Sequence, residues 1–318
     1  MAFLKFNKSE LVNLAYSLKR EILCANKTGA YCNTSIVTCN TRRYHGLLAV
    51  MLDRFGGDRF LLLSDVDESL IVDGKQFNLG IHCYGDIYEP RGHKYVVDFS
   101  ADPVPQITCK VGEILFRKSI VLAQDRDQVL IKYELLESPT PVQLQLRPFL
   151  AFRNIHDLTH ENPVADPTGK PVAGGESFCL YPHFPDLFLQ LSDRRAKFSA
   201  GPYWNKSITY SDEYRRGFDC REDLMVPGCF EARLKPGESL VLSASISEED
   251  PAGFKTRFNT FVRQAGEITS YRDQLRRCAD TLITNQTAAG ASTPATPGST
   301  RACSARRSRP CRASRSTG

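Results

Sequence analysis

Along residues 142–147 apolar and polar side chains alternate strictly. Val142, Leu144 and Leu146 fall on one side, and Gln143, Gln145 and Arg147 on the other. A period of two belongs to a β-strand, and these two compositions put one face on a core and leave the other wet or lined for a ligand. A strand needs partners, and the chain supplies them. Short apolar runs recur at 46–52, 59–64, 69–72, 75–79, 104–111, 114–123 and 128–137. Asp73-Gly74 and Gly112-Glu113 sit where tight turns are needed between them. Residues 229–234 and 239–247, joined through Pro236-Gly237, are expected to form a further hairpin. Many strands with short Gly/Pro turns and almost no intervening helix predict an all-β protein, a large antiparallel β-sandwich.

Two stretches break the pattern. Residues 153–176 are rich in Asp, Asn, His, Pro and Gly and read as a long loop, and 199–227 read as irregular. Helices are expected at the ends. Leu11, Leu14, Ala15 and Leu18 recur at helical spacing behind a capping box of Asn7 and Glu10, predicting a short N-terminal helix. Phe254, Phe258, Phe261 and Val262 predict a helix after Asp250, and 268–283 another. Beyond Ile283 there is no Val, Leu, Ile, Met, Phe, Tyr or Trp, so residues 284–318 are expected to form no core. The division expected is a β-domain over 1–250, helical linkers over 251–283 and a low-complexity tail over 284–318.

Several function classes are disfavoured. The net charge is +5, but six arginines and no acid follow Ala288, which leaves the rest near −1. A nucleic-acid partner needs a basic surface on the folded part, so none is expected. No run approaches the roughly 18 apolar residues of a membrane helix, and the N-terminus has no signal-like apolar stretch. No membrane partner and a cytoplasmic location are therefore expected. Eleven cysteines are scattered without a CxxC pair, which suits free thiols and not a zinc cluster. There is no phosphate-binding Gly-rich loop, no GxSxG elbow and no HExxH pair, so no cofactor and no metal are expected.

Asn40-Thr-Arg-Arg-Tyr-His-Gly-Leu-Leu48 resembles a signature of the N-terminal domain of bacterial and archaeal glycogen debranching enzymes, the amylo-α-1,6-glucosidase type. Further stretches follow in that family's order: 62–74, 90–99, 146–162, then Trp204, Arg216-Gly-Phe-Asp219 and 222–228. Gly-Ala-Tyr31 stands where the family has Gly-Gly-Tyr. The similarity covers roughly residues 18–247. It implies a β-supersandwich followed by an (α/α)6 toroid that holds the catalytic carboxylates. Residues 275–283 look like the first turns of that toroid, so the catalytic domain is expected to be missing here. The implied partners are α-glucan, as glycogen or maltooligosaccharide, and that C-terminal catalytic domain. The implied activity of the parent is hydrolysis of α-1,6 branch points, with a 4-α-glucanotransferase step as an accompaniment. No catalytic residue is expected in this chain.

The candidate glucan contacts each have two readings. Arg42, Arg43, Tyr44 and His45 combine fixed donor forks with an aromatic ring, which suits sugar hydroxyls and C–H faces. The same residues equally suit internal ion pairs that tie down a turn. Arg153, His160 and Glu161 lie in the long loop, where they reach either a glucan rim or a neighbouring domain. Trp204, the only tryptophan, with Tyr203, Tyr210 and Tyr214, supplies either stacking platforms or interface packing. Asp219 and Glu222, with Asp223, have the carboxylates of a glycosidase pair, but Gly217, Pro227 and Gly228 argue for a loop there. An alternative function is a structural sandwich that only packs on the catalytic domain.

Overall fold

The structure is a computed structural model that describes residues 4–283. The tail expected over 284–318 lies outside the described residues. Two antiparallel sheets face each other. One has nine strands in the order Lys5–Asn7, Val96–Ser100, Gln106–Val111, Ile114–Leu122, Gln128–Glu137, Ser239–Ser245, Leu187–Leu191, Gly175–Phe178 and Lys170–Val172. The other runs Lys197–Thr209, Arg221–Leu234, Val142–Asn154, Asp58–Val72, Gly46–Leu52, Tyr31–Ser35 and Glu21–Ala25, with Lys75–Asn78 also paired to Asp58–Val72. Val142, Leu144 and Leu146 point into the shared core, in one buried cluster with residues of the facing sheet such as Phe116, Ile131 and Leu242. Their polar alternates face outward, as the period of two requires.

The turns explain which strands pair. Asp73 and Gly74 both have positive φ, 48° and 76°, which closes the two-residue hairpin between Val72 and Lys75. Gly112 at φ 58° does the same between Val111 and Ile114. The expected hairpin at Pro236-Gly237 is not one. Arg221–Leu234 lies in the eight-stranded sheet and Ser239–Ser245 in the nine-stranded sheet, so this turn carries the chain across the core. Sequence patterning detects the strands and the turn, and both a hairpin and a crossover satisfy it.

The two irregular stretches are also more regular than expected. Residues 197–209 and 221–234 form a long strand pair whose register shifts twice, between Ala200 and Tyr203 and between Asn205 and Ile208. Such irregularities break the alternation that would mark a strand. The expected loop at 153–176 is shorter, because Val142–Asn154 runs on to Asn154 and a hairpin begins at Lys170. The N-terminal helix is split into Lys8–Leu11 and Leu14–Leu18, and the Asn7–Glu10 capping box is present.

Helix Phe254–Ala265 covers the outer face of the nine-stranded sheet. Phe254 and Phe258 pack there on Val104, Val121, Leu130 and Val241. A second helix, Tyr271–Leu282, follows. Among the described residues no such helix covers the outer face of the eight-stranded sheet. That face carries a small apolar cluster of Tyr31, Ala49, Leu61, Phe149, Ala151, Ile208, Tyr210, Leu224 and Val226, crossed by the ribbon His82–Tyr84 and Ile87–Glu89. Among the described residues no helix is long and apolar enough to cross a membrane.

Candidate functional site

The Asn40–Gly46 segment forms the turn between strands Tyr31–Ser35 and Gly46–Leu52, at one end of that outer face. Its side chains are tied down one by one. Asn40 donates to the Ser64 carbonyl (3.2 Å) and accepts from the Thr34 hydroxyl (2.9 Å). The Thr41 hydroxyl donates to Asp212 (2.9 Å), and the Thr41 N–H donates to His45 Nδ1 (3.1 Å). That contact makes Nδ1 an acceptor and puts the imidazole proton on Nε2, 3.6 Å from Glu21 Oε1. Burial lowers the His45 pKa, so the ring stays neutral against the opposing pull of Glu21. Arg42 donates to Glu21 (2.8 Å). Arg43 donates to the His156 carbonyl (2.8 Å) and to Glu213 (3.4 Å).

Beneath the turn lies a buried ion pair. Arg153 donates through Nε and Nη2 to the two oxygens of Glu222, the Nη2 contact at 3.0 Å, and both side chains are almost wholly buried. Such a fork matches a carboxylate in two places at once. Glu222 also accepts from the Tyr210 hydroxyl and from the Thr159 N–H (3.0 Å). Arg153 Nη2 donates in addition to the Arg43 carbonyl (2.8 Å), which joins the pair to the turn above. Burial alone would lower the Arg153 pKa, but the charge of Glu222 outweighs it and the guanidinium stays ionised. Burial, reinforced by Glu222, pushes the Tyr210 phenol well up.

The fold therefore gathers Arg42, Arg43, Tyr44, His45, Arg153 and Glu222 into one region. His45, Arg153 and Glu222 are buried inside it and engaged with protein groups. Tyr44 is half-buried at the rim, its hydroxyl 3.3 Å from His156 Nδ1 and its ring edge-on to that imidazole. Arg43 and Arg216 lie over the Phe218 ring, 5.6 and 4.9 Å from its centroid, and Phe218 is 48 % exposed. Asp219 beside it is exposed. His160 and Glu161 are exposed next door, where the Glu161 N–H donates to Asp223 (3.0 Å) and its carboxylate pairs with Lys206.

Of the two readings of the aromatics at 203–214, stacking platforms or interface packing, neither gains a single patch, because the four rings do not come together. Trp204 is half-buried against the inter-sheet core, Tyr210 is fully buried on Glu222, and only Tyr203 and Tyr214 are exposed. Neighbours on a strand point to opposite faces, which separates Tyr203 from Trp204. Asp65, Asp67 and His82 offer ligand atoms within 4.8 Å of one another. The 2.9 Å contact of His82 Nε2 with Asp67 is a charged hydrogen bond. Burial would lower the His82 pKa, but attraction to Asp67 and Asp65 pushes it up to about 9. Sequence reasoning missed Glu21, Asp212, Glu213 and Thr159, which hold the turn from distant segments and carry no local pattern.

Residues 20–241 match the family model described as glycogen debranching enzyme N terminal. The chain belongs to that family. The matched span contains the turn, the buried ion pair and the rim. Among curated proteins none matches the chain significantly. Solved structures with a similar arrangement include a heparan sulfate lyase mutant from Pedobacter heparinus, at 10 % identity and TM-score 0.38, covering 78 % of this chain and 37 % of that one. A bacterial glucoamylase complexed with acarbose gives 9 % identity and TM-score 0.38, covering 82 % and 38 %. An aldose epimerase homologue from C. elegans gives 11 % identity and TM-score 0.35, covering 71 % and 98 %. Likenesses this loose carry no functional weight. The chain spans less than two fifths of the length of the lyase and the glucoamylase.

Proposed function

We propose that this domain holds α-glucan and braces the catalytic domain in an enzyme that hydrolyses α-1,6 branch points, and that it takes no part itself in bond cleavage. The observation that carries this reading is how the signature residues are used. Glu222, a fully buried carboxylate of the region, has both oxygens engaged by Arg153, Tyr210 and Thr159, which leaves neither free to reach a substrate. The same network fixes the turn so that Tyr44, His156 and Phe218 stand preorganised at the rim, with Arg216 over the Phe218 ring and the mostly buried Arg43 behind it. Aromatic rings with cationic forks beside them suit sugar C–H faces and hydroxyls. An accompanying 4-α-glucanotransferase step of the parent, and a cytoplasmic location, belong to the same reading.

The bracing role has its own support. Leu275 and Ile283 are more than half exposed at the end of the described chain, and apolar residues exposed in sequence suit contact with a further domain. Calorimetric titration of the purified chain with maltooligosaccharides tests the glucan role. Binding that weakens in Tyr44→Ala and Phe218→Ala is expected. No binding at millimolar oligosaccharide refutes it and leaves bracing alone.

A further inference from the structure

We infer that the outer face of the eight-stranded sheet, centred on Arg147 and Tyr203, is a second binding surface, and that its ligand is an extended uncharged polyhydroxylated chain of the α-glucan class. The choice of ligand rests on the reading of the domain as a glucan-holding one.

A ladder of hydrogen bonds between polar side chains crosses this face from strand to strand. Gln76 on Lys75–Asn78 donates to Asn78 (2.7 Å) and to Ser69 (3.4 Å) on the neighbouring Asp58–Val72. Arg147 on Val142–Asn154 donates through one nitrogen to Ser69 (3.2 Å) and through another to Gln145 (2.8 Å). Gln145 then donates to Glu231 on Arg221–Leu234 (2.6 Å). The next strand, Lys197–Thr209, brings Tyr203, which is 46 % exposed; partial burial raises its phenol pKa, against the opposing charge of Arg147. Tyr84, from the short ribbon, donates to Asn205 (2.9 Å) on the same strand as Tyr203. Five adjacent strands at about 4.8 Å per step make a platform roughly 19 Å across.

Three properties of the platform point to the occupant. Its groups are mostly amides and hydroxyls, with planar donor–acceptor sets that match neighbouring hydroxyls. Its charges are mixed in sign, since Arg147 and Glu231 both bond Gln145 and His82 pairs with Asp67, so nothing favours an anionic polymer. Each ladder side chain is held by its neighbour, which lowers the ordering cost of binding. The exposed Tyr203 ring supplies the flat apolar surface that a ladder of amides lacks.

The test is titration of the full chain with maltoheptaose, alongside heparin as an anionic probe. Tyr203→Ala is expected to bind maltoheptaose about tenfold more weakly, the loss usual for an aromatic anchor. Tyr203→Phe, which keeps the ring, is expected to bind like the parent, and heparin is expected not to bind. Gln145→Ala provides a second arm and should also weaken binding. Unchanged binding in both Tyr203→Ala and Gln145→Ala overturns the inference. If Tyr44→Ala alone abolishes binding under those conditions, the rim reading survives and this one fails. Heparin binding as tightly as maltoheptaose overturns it too. Absence of maltoheptaose binding by the parent chain defeats both readings.

Discussion

Replacing Arg153 by Met strands a carboxylate. In the native fold the Arg153 and Glu222 side chains are 4 % and 0 % exposed. Without the guanidinium, Glu222 keeps only the Tyr210 hydroxyl and the Thr159 N–H. The carbonyls of Arg43 and Asn154 also lose a donor. Removing one partner of a buried pair costs about 3–5 kcal/mol, most of it the penalty of an uncompensated charge. For a domain of this size that corresponds to a fall in Tm of about 10 °C. Urea unfolding followed by fluorescence suits the measurement, because the single tryptophan, Trp204, packs against the inter-sheet core. Adding Glu222→Gln to Arg153→Met removes the stranded charge and should restore about 1–2 kcal/mol. Hydrogen exchange of residues 40–46 should quicken in the single variant, since Arg153 holds the Arg43 carbonyl. A loss below about 1 kcal/mol, with no recovery in the double variant, would mean that the pair is not the brace described.

Other consequences are as specific. Gly92 has no room for a side chain: a Cβ would lie 1.9 Å from the Leu79 carbonyl oxygen, which is backbone and cannot rotate away. Gly92→Ala should cost more than about 2 kcal/mol in the same unfolding assay. His82 fixes the direction of a pH effect. Its folded pKa of about 9 lies above the ordinary 6.5, so its contribution is complete below 6.5 and is lost as pH rises through 9. His82→Gln should flatten the decline in stability between those two values, and an unchanged slope would contradict the Asp67 pairing. Lys118, buried beside Glu68 at 2.7 Å, should behave like Arg153, with Lys118→Met costing about 3 kcal/mol or more.

Much of the architecture was legible because burial writes itself into the sequence at period two. Val142, Leu144 and Leu146 mark their strand as soon as they are read, and Asp73-Gly74 marks its hairpin. What escaped was whatever local pattern does not encode. The Pro236-Gly237 turn looks alike whether its strands pair or part to different sheets. Pro227 and Gly228 suggested a loop, yet strand Arg221–Leu234 passes through both, with Gly228 at φ 159°. Its Cβ position would fall 2.3 Å from the Ser199 carbonyl oxygen, so glycine lets the partner strand approach there. At the site, the chemistry of Arg42, Arg43 and Tyr44 was readable, but the choice between internal pairing and a ligand depends on Glu21, Asp212 and Glu213. These lie 21 to 171 residues away in sequence from the groups they meet. The polar side of residues 143–147 was visible as a face that is wet or ligand-lined, and only the fold showed how far its ladder extends.

Co-sedimentation of the chain with glycogen, followed by measurement of reducing ends in the same tube, is the most direct test of a domain that holds glucan without cutting it. The account predicts that the protein pellets with the glycogen and that reducing ends stay at the level of a protein-free control. Protein left in the supernatant, or reducing ends that rise with time, would contradict it.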